Sequence, residues 1–191
     1  MTTTGMERIT QASPALLARI AGVFYLTVFV TGIFSLFVRN RLGFAAGLMS
    51  GAFYIVVTLL FYFIFKPVSR SLSLLAAIVS LVGCVIGPLS LFVHAASHIS
   101  PLVFFGFYCL LIGFLIFRST FLPRILGVLM AIAGLGWLTF LWPPLANYLS
   151  PYIFFPGIIG EGALTLWLLV MGVNVGRWKE QASAAGASIR T

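Results

Sequence analysis

Residues 44–65 read FAAGLMSGAFYIVVTLLFYFIF and contain no charged side chain. A helix needs about 20 apolar residues to cross the hydrocarbon core of a bilayer, so this segment is long enough for one span. Arg39-Asn40-Arg41 stands just before the segment and Lys66-Pro67 directly after it. Basic residues commonly flank spans, at the point where the chain returns to water. The segment therefore predicts a transmembrane helix.

The composition of the whole chain agrees with a protein whose solvent is lipid. Of its 191 residues, 61% are hydrophobic and 7% are charged, and the mean hydropathy is +1.15. Because soluble domains carry about 25% charged residues, the composition excludes an ordinary soluble enzyme, a disordered chain, a coiled coil and a disulfide scaffold. Cys84 and Cys109 both lie in apolar runs and are interpreted as small packing residues, not as a disulfide.

Apolar segments of similar length recur along the chain and predict six spans. In order they are Ile20–Val38, Phe44–Phe65, Leu72–Ala96, Pro101–Phe117, Ile125–Trp142 and Phe154–Val175. We expect an all-α integral membrane bundle of six transmembrane helices with short loops. Residues 1–18 would form an N-terminal tail, residues 19–178 the transmembrane domain and residues 179–191 a C-terminal tail. Prolines in residues 143–152 predict a break between the fifth and sixth spans.

The basic residues predict the orientation of the bundle. With the N-terminus inside, only Arg39 and Arg41 of the eleven Lys and Arg residues lie on the outer side. This asymmetry predicts that both termini are cytoplasmic, in a bacterial inner membrane, with Trp178 as an inner interfacial anchor. The net charge of +8 is therefore attributed to orientation and to anionic lipid headgroups. No basic stretch is interleaved with base-stacking aromatics, so nucleic-acid binding is not expected.

Polar and small side chains form several stripes with helical spacing. The polar stripes are Thr27, Thr31 and Ser35, then Ser50, Tyr54, Thr58 and Tyr62, then Ser90, His94 and His98. Residues four apart share one helix face, so each stripe should point inward, either to make interhelical hydrogen bonds or to line a polar cavity. Glycines repeat in the same way at 43, 47 and 51, at 83 and 87, and at 172 and 176. They predict faces of close helix packing.

Glu161 is the only acidic residue inside an apolar run. An ionisable side chain within a membrane span marks a candidate functional site. In the predicted topology Glu161 lies in the outer part of the sixth span. His94 and His98 lie at the outer end of the third span, and Arg39 and Arg41 at the outer end of the first. These five residues therefore converge on one leaflet and form the predicted site.

Three interpretations of this site stay open. In the first, Glu161 makes a structural ion pair with Arg39 or Arg41. In the second, the groups line the mouth of a pocket that binds a lipid or small amphiphile, or relays a proton. In the third, His94, His98 and Glu161 bind a metal, since histidines at i and i+4 share a helix face.

Motifs for covalent or nucleotide chemistry are missing from the sequence. There is no G-x-S-x-G nucleophile elbow, no P-loop and no dinucleotide fingerprint. No catalytic residue and no cofactor are therefore predicted, and a non-enzymatic role is favoured.

Several strings in the chain recur together in one family. They are RIAG at 19–22, FFGFYCLLIG at 104–113, FRSTFLPRILGVL at 117–129, PGIIGE at 156–161 and LWLLVMGVN at 166–174. On these strings the chain resembles the bacterial multi-pass membrane family called domain of unknown function 4386, over roughly residues 19–178. The resemblance implies a six-helix membrane protein and marks Arg118, Pro123, Arg124 and Glu161 as motif positions. It implies no activity, and Tyr108 stands where the family often has a histidine.

The leading functional hypothesis is the binding or handling of a lipid or small apolar molecule, or passive membrane support, with Glu161 at the polar end. One alternative is an accessory subunit of a larger membrane complex, and another is a metal-dependent membrane enzyme that uses His94, His98 and Glu161. The expected partners are membrane lipids and a small apolar ligand, with a homo-oligomer or a membrane complex as further alternatives.

Overall fold

A computed structural model describes residues 13–38, 40–89 and 100–188. These residues form helices and connecting turns, and none of them lies in a strand. The α-helices are α1 (Pro14–Phe37), α2 (Arg41–Phe65), α3 (Arg70–Leu89), α4 (Pro101–Arg118), α5 (Arg124–Leu138), α6 (Pro143–Leu149), α7 (Phe154–Val170) and α8 (Val175–Ser188). A short 3₁₀ helix, Thr139–Leu141, follows α5.

Local sequence signals fix where the long helices begin. Ser13, Asn40 and Ser100 each accept a hydrogen bond from a backbone N–H in the first turn of α1, α2 and α4. Such caps satisfy N–H groups that have no partner inside the helix. Pro14 and Pro101 stand at the first helical position, where the absent N–H of proline costs nothing.

The six predicted spans overlap the helices but do not match all of their ends. The predicted third span, Leu72–Ala96, runs beyond the described residues after α3, and α7 ends at Val170, before the predicted Val175. Five helical segments, α1 to α4 and α5 together with the 3₁₀ helix, are long and apolar enough to cross a membrane. Helices α6 and α7 meet at a bend of 80°. They provide a sixth candidate span if the bent pair is treated as a single span. The described chain is therefore all-helical with five or six candidate spans.

Two segments that lie outside or at the end of the predicted spans are helical. The proline-rich residues 143–152 contain α6, whose first residue is Pro143, because the fixed φ of proline suits the first turn of a helix. Residues 175–188 form α8, so the predicted tail after residue 179 begins as a helix. Between α7 and α8 the chain turns at Gly172, which has φ +68°. This left-handed conformation favours glycine and ends α7.

Six helices close into a ring. The chain-order neighbours α1–α2, α2–α3, α3–α4 and α4–α5 pack together, α5 packs on α7, and α7 returns to α1. Short connections make successive helices antiparallel neighbours. The outward faces of the ring carry many exposed apolar side chains, among them Val30, Leu59, Ile78, Phe114, Ile132 and Leu166. A continuous apolar exterior is the expected surface of a protein that is surrounded by lipid.

The interior of the ring is filled at one end only. Large side chains pack in the half where α2 and α4 end and α5 begins, including Phe61, Phe65, Ile116, Leu126 and Leu168. Helix α8 lies across this end. The Trp178 indole N–H donates to the Ile64 carbonyl at 2.9 Å, and the Arg177 guanidinium donates to the Thr120 carbonyl at 3.3 Å.

Glycines let α4 and α5 approach most closely. A Cβ on Gly113 would lie 2.8 Å from the Gly127 carbonyl oxygen, and a Cβ on Gly127 would lie 2.7 Å from that of Gly113. Gly106 and Gly134 oppose each other in the same way. Such a seam supplies van der Waals contact where lipid provides little hydrophobic drive for association.

The stripe in α2 that was predicted to pack closely does so only at its start. A Cβ on Gly43 would lie 1.5 Å from the Val38 carbonyl oxygen, in the turn between α1 and α2. A Cβ on Gly47 would lie 3.7 Å from its nearest neighbour, the Ser35 Cβ. A Cβ on Gly51 would meet no atom within 4 Å. The prediction of close packing is therefore wrong for these two positions. Equal spacing along one helix does not fix the distance to the neighbouring helix.

Replacement of Gly113 by alanine should lower the thermal stability of the detergent-solubilised protein. The added Cβ meets backbone rather than a movable side chain, and such overpacking costs about 1–3 kcal/mol. Gly162→Ala is the matched control, because a Cβ on Gly162 meets no atom within 4 Å. Thermal unfolding followed by circular dichroism measures the difference in unfolding midpoint between the two variants. Equal midpoints for Gly113→Ala and Gly162→Ala would contradict the close packing of α4 against α5.

Candidate functional site

The carboxyl group of Glu161 is buried at the middle of the bundle. Glu161 is the eighth of the 17 residues of α7, and it is 6% exposed. The Trp137 indole N–H, from α5, donates to Oε1 at 2.6 Å. The Tyr25 hydroxyl, from α1, donates to Oε2. Three helices that are distant in sequence are thus joined at one carboxyl group.

Glycines on α1 and α7 make this arrangement possible. A Cβ on Gly157 would lie 2.1 Å from the Trp137 ring, so the indole occupies the space that a side chain would take. A Cβ on Gly22 would lie 2.9 Å from the Leu169 backbone nitrogen, which brings α1 close to α7. Both donors therefore reach Glu161 because a neighbouring glycine leaves room for them.

Aromatic rings and a thiol surround the carboxyl group. The Tyr25 and Tyr54 rings meet edge to face at 5.7 Å between centroids, and Tyr54 lies 4.7 Å from Phe105. The Tyr54 hydroxyl and the Cys109 thiol lie close enough to Glu161 for electrostatic interaction. The Tyr54 hydroxyl is buried and makes no hydrogen bond of standard geometry within the described residues. A buried hydroxyl without a partner marks a place where a ligand or water could bind.

A cavity of about 610 Å³ begins at this cluster and occupies the open half of the ring. All six helices of the ring contribute to its wall. Glu161, Tyr25, Tyr54 and Trp137 form its polar floor, while apolar side chains such as Phe29, Ile55, Leu102, Phe105, Phe154 and Ile158 form most of the walls. Gly47 and Gly51 also line it, which explains why a Cβ on Gly51 would meet no atom within 4 Å.

The polar stripes have mixed roles. The hydroxyls of Thr27, Thr31 and Ser35 donate to carbonyls of their own helix, at 3.0, 2.7 and 2.7 Å. The Ser50 hydroxyl crosses from α2 to the Val28 carbonyl of α1 at 3.1 Å. The Thr58 and Ser80 hydroxyls, 2.7 Å apart, join α2 to α3. Ser35, Ser50 and Tyr54 also line the cavity, so the stripes contribute both to interhelical bonding and to its wall.

Glu161 lies in the first half of α7, at the eighth of its 17 residues, and its partners lie at different positions along their helices. Tyr25 is the twelfth of the 24 residues of α1, and Trp137 is the fourteenth of the 15 residues of α5. The placement of Glu161 in the outer part of the span stays a prediction. Arg41 is exposed at the start of α2, thirteen residues before Tyr54, or about 20 Å along the helix. Among the described residues, no cation is a partner of Glu161.

Three residues of the predicted site lie outside the described residues, namely Arg39, His94 and His98. The ion pair with Arg39 and the metal site with both histidines therefore stay predictions. Within the described ranges, no three His, Cys, Asp or Glu side chains are grouped so that they could hold a metal ion.

The basic motif positions lie away from Glu161. Arg118 ends α4 with its guanidinium 5.7 Å from the centre of the Phe114 ring. Arg124 begins α5 with its guanidinium 5.5 Å from the centre of the Phe117 ring. Pro123 caps the start of α5 between them. These residues shape the α4–α5 turn at the packed end of the ring.

Sequence reasoning did not identify Tyr25 and Trp137 as site residues. Both lie within apolar runs, where an aromatic ring is usually a packing residue. One signal was available, because a tyrosine or tryptophan buried in a span needs a partner for its O–H or N–H. Tyr54 was noted only as a member of a polar stripe.

Comparison with known proteins agrees with the resemblance found in the sequence. The family model described as Domain of unknown function (DUF4386) matches residues 89–172. An uncharacterised protein of Archaeoglobus fulgidus is 28% identical over 130 residues, which cover 62% of this chain and 76% of that protein. No solved structure matches the chain. The matched family range contains Trp137 and Glu161 but neither Tyr25 nor Tyr54.

Tyr25→Phe and Glu161→Leu should each destabilise the protein, and their effects should not add. Tyr25→Phe removes a donor from the buried Glu161 carboxyl group, and Glu161→Leu leaves the buried Tyr25 hydroxyl without its acceptor. The double change removes both members of this hydrogen bond. Hydrogen bonds between membrane helices give coupling energies of about 0.6–2 kcal/mol. Unfolding in detergent, followed by circular dichroism, gives the free energies of unfolding for this double-mutant cycle. Glu180, exposed on α8, provides the control, since Glu180→Leu should add fully to Tyr25→Phe. Full additivity for the Tyr25–Glu161 pair would contradict the contact.

Proposed function

We propose that this chain, which carries a DUF4386 domain over residues 89–172, is a multi-pass membrane protein that binds a lipid or small apolar molecule inside its helix ring. The cavity beside Glu161 is the observation that carries the proposal. Its volume of about 610 Å³ falls within the range of about 300–1,000 Å³ that is usual for small-molecule sites. Apolar walls with a few convergent polar groups are also typical of such sites.

The rim of the cavity supports entry from the lipid. Ile33, Leu48 and Ile158 line the cavity and are each more than 40% exposed. We propose that a ligand dissolved in the bilayer enters between the helices at these residues. Its apolar part would pack against the walls, and its polar end would meet Glu161 and Tyr54.

The proposed location is a bacterial cytoplasmic membrane with both termini inside. The uneven distribution of Lys and Arg along the sequence supports this orientation. In this orientation the cavity lies in the outer half of the bundle and the packed end, covered by α8, faces the cytoplasm. The proposed partners are membrane lipids around the ring and one ligand within it.

Native mass spectrometry of the protein released from a mild detergent tests the proposal. We expect a bound lipid or small organic mass on the wild-type protein. Gly51→Phe should reduce its occupancy, because the new side chain projects into the cavity. Gly162→Phe is the matched control on α7, since Gly162 faces open space but does not line the cavity. Three results would contradict the proposed ligand binding. They are a bare polypeptide mass, equal ligand occupancy in Gly51→Phe and Gly162→Phe, and a bound metal mass that is lost in His94→Ala.

A further inference from the structure

We infer that the ligand of this cavity is an amphiphile with a positively charged amine head, which pairs with Glu161. The inference rests on the proposed function and names its ligand class. The floor of the cavity combines a buried carboxyl group, an unpartnered phenol and several aromatic faces. Each of these groups is a known type of partner for an organic cation, and all of them face the same space.

The first argument is charge. Among the described residues that line the cavity, Glu161 is the only acid, and none of them is a Lys, Arg or His. Within the described residues, its partners are the neutral groups of Tyr25 and Trp137. A carboxylate taken out of water is costly unless an opposite charge accompanies it. A cationic head supplies that charge from the ligand.

The second argument is the count of hydrogen-bond acceptors. A carboxylate accepts about four hydrogen bonds, and Glu161 receives two, from Tyr25 and Trp137. The Tyr54 hydroxyl and the Cys109 thiol lie near the remaining acceptor positions. The buried Tyr54 oxygen lines the cavity, makes no hydrogen bond of standard geometry within the described residues, and is a further acceptor. A primary ammonium carries three N–H donors, which Glu161 and Tyr54 can share.

The third argument is the aromatic surface around the carboxyl group. Tyr54, Phe105 and Trp137 all line the cavity, and the Trp137 ring meets Phe154 at 5.9 Å between centroids. A cation within about 6 Å of an aromatic face gains electrostatic stabilisation, and the gain is larger where water is excluded. An anionic or neutral head would not gain this electrostatic stabilisation from the ring faces. The apolar walls above the floor suit the alkyl chain of the same molecule.

The test compares three ligands that share a ten-carbon chain and differ in the head. These are decylamine, which is protonated at neutral pH, decanol, which is neutral, and decanoate, which is anionic. Each radiolabelled ligand is equilibrated with the full chain in phosphatidylcholine nanodiscs, and binding to protein-free nanodiscs is subtracted. We expect saturable binding of about one decylamine per chain, at least about tenfold tighter than decanol.

Variants assign the selectivity to the floor of the cavity. Glu161→Gln should weaken decylamine binding at least about tenfold and leave decanol binding unchanged. Glu180→Gln, on the exposed face of α8, should change neither. If Glu161→Gln does not yield a folded sample, Tyr54→Phe keeps the test open, because it removes an acceptor without touching the two bonds of Glu161. That variant should weaken decylamine binding about threefold or more while decanol is unaffected.

The outcomes separate this inference from the proposed function. Equal binding of decylamine and decanol, both lost in Gly51→Phe, overturns the amine inference and supports the cavity as a binding site. Tightest binding of decanoate overturns the inference as well. The absence of saturable binding for all three ligands overturns both. If Arg39 supplied the charge for Glu161, Arg39→Gln would strengthen decylamine binding, and that result would also overturn the inference.

Discussion

A carboxyl group inside an apolar bundle must obtain its hydrogen bonds from the protein, because lipid offers none. Glu161 obtains them from Tyr25 of α1 and Trp137 of α5, on either side of α7. Helix α7 is the one that closes the ring between α5 and α1. The two donors suit this position because their rings pack among apolar side chains while one polar atom reaches the carboxyl group. These two hydrogen bonds therefore join α7 to both of its neighbours in the ring.

The carboxyl group also marks the boundary between two differently built halves of the ring. On one side, aromatic and branched side chains fill the interior, and α8 covers the end. On the other side, glycines line a cavity of about 610 Å³. Glycine serves opposite purposes in the two settings. At Gly113 and Gly127 it lets two backbones touch, and at Gly47 and Gly51 it leaves room for something else. A site with a rigid floor beneath open space is well suited to hold one end of an amphiphile.

The aromatic and polar groups act together at this boundary, and no single group would define a binding site. A buried glutamate alone fits a structural role, and an apolar cavity alone fits a packing defect. Their contact, beside a Tyr54 hydroxyl that makes no hydrogen bond of standard geometry within the described residues, supports the proposal of a ligand with both an apolar body and a polar head. Trp137 and Glu161 lie within the DUF4386 range, whereas Tyr25 and Tyr54 come from the first two helices. The site therefore needs both halves of the chain.

The sequence by itself determined the solvent, the helices and the single acid that matters. Hydropathy over about 20 residues reports one local property, so the six apolar segments and the exceptional place of Glu161 were predictable. Its partners were not, because Tyr25 and Trp137 are separated from it by long stretches of chain, and an aromatic residue in an apolar run carries no sign of what its polar atom meets. The contacts of Glu161, the close α4–α5 seam and the open space at Gly51 depend on how far neighbouring helices approach. Spacing along one helix cannot encode that distance, so only the tertiary structure decided it.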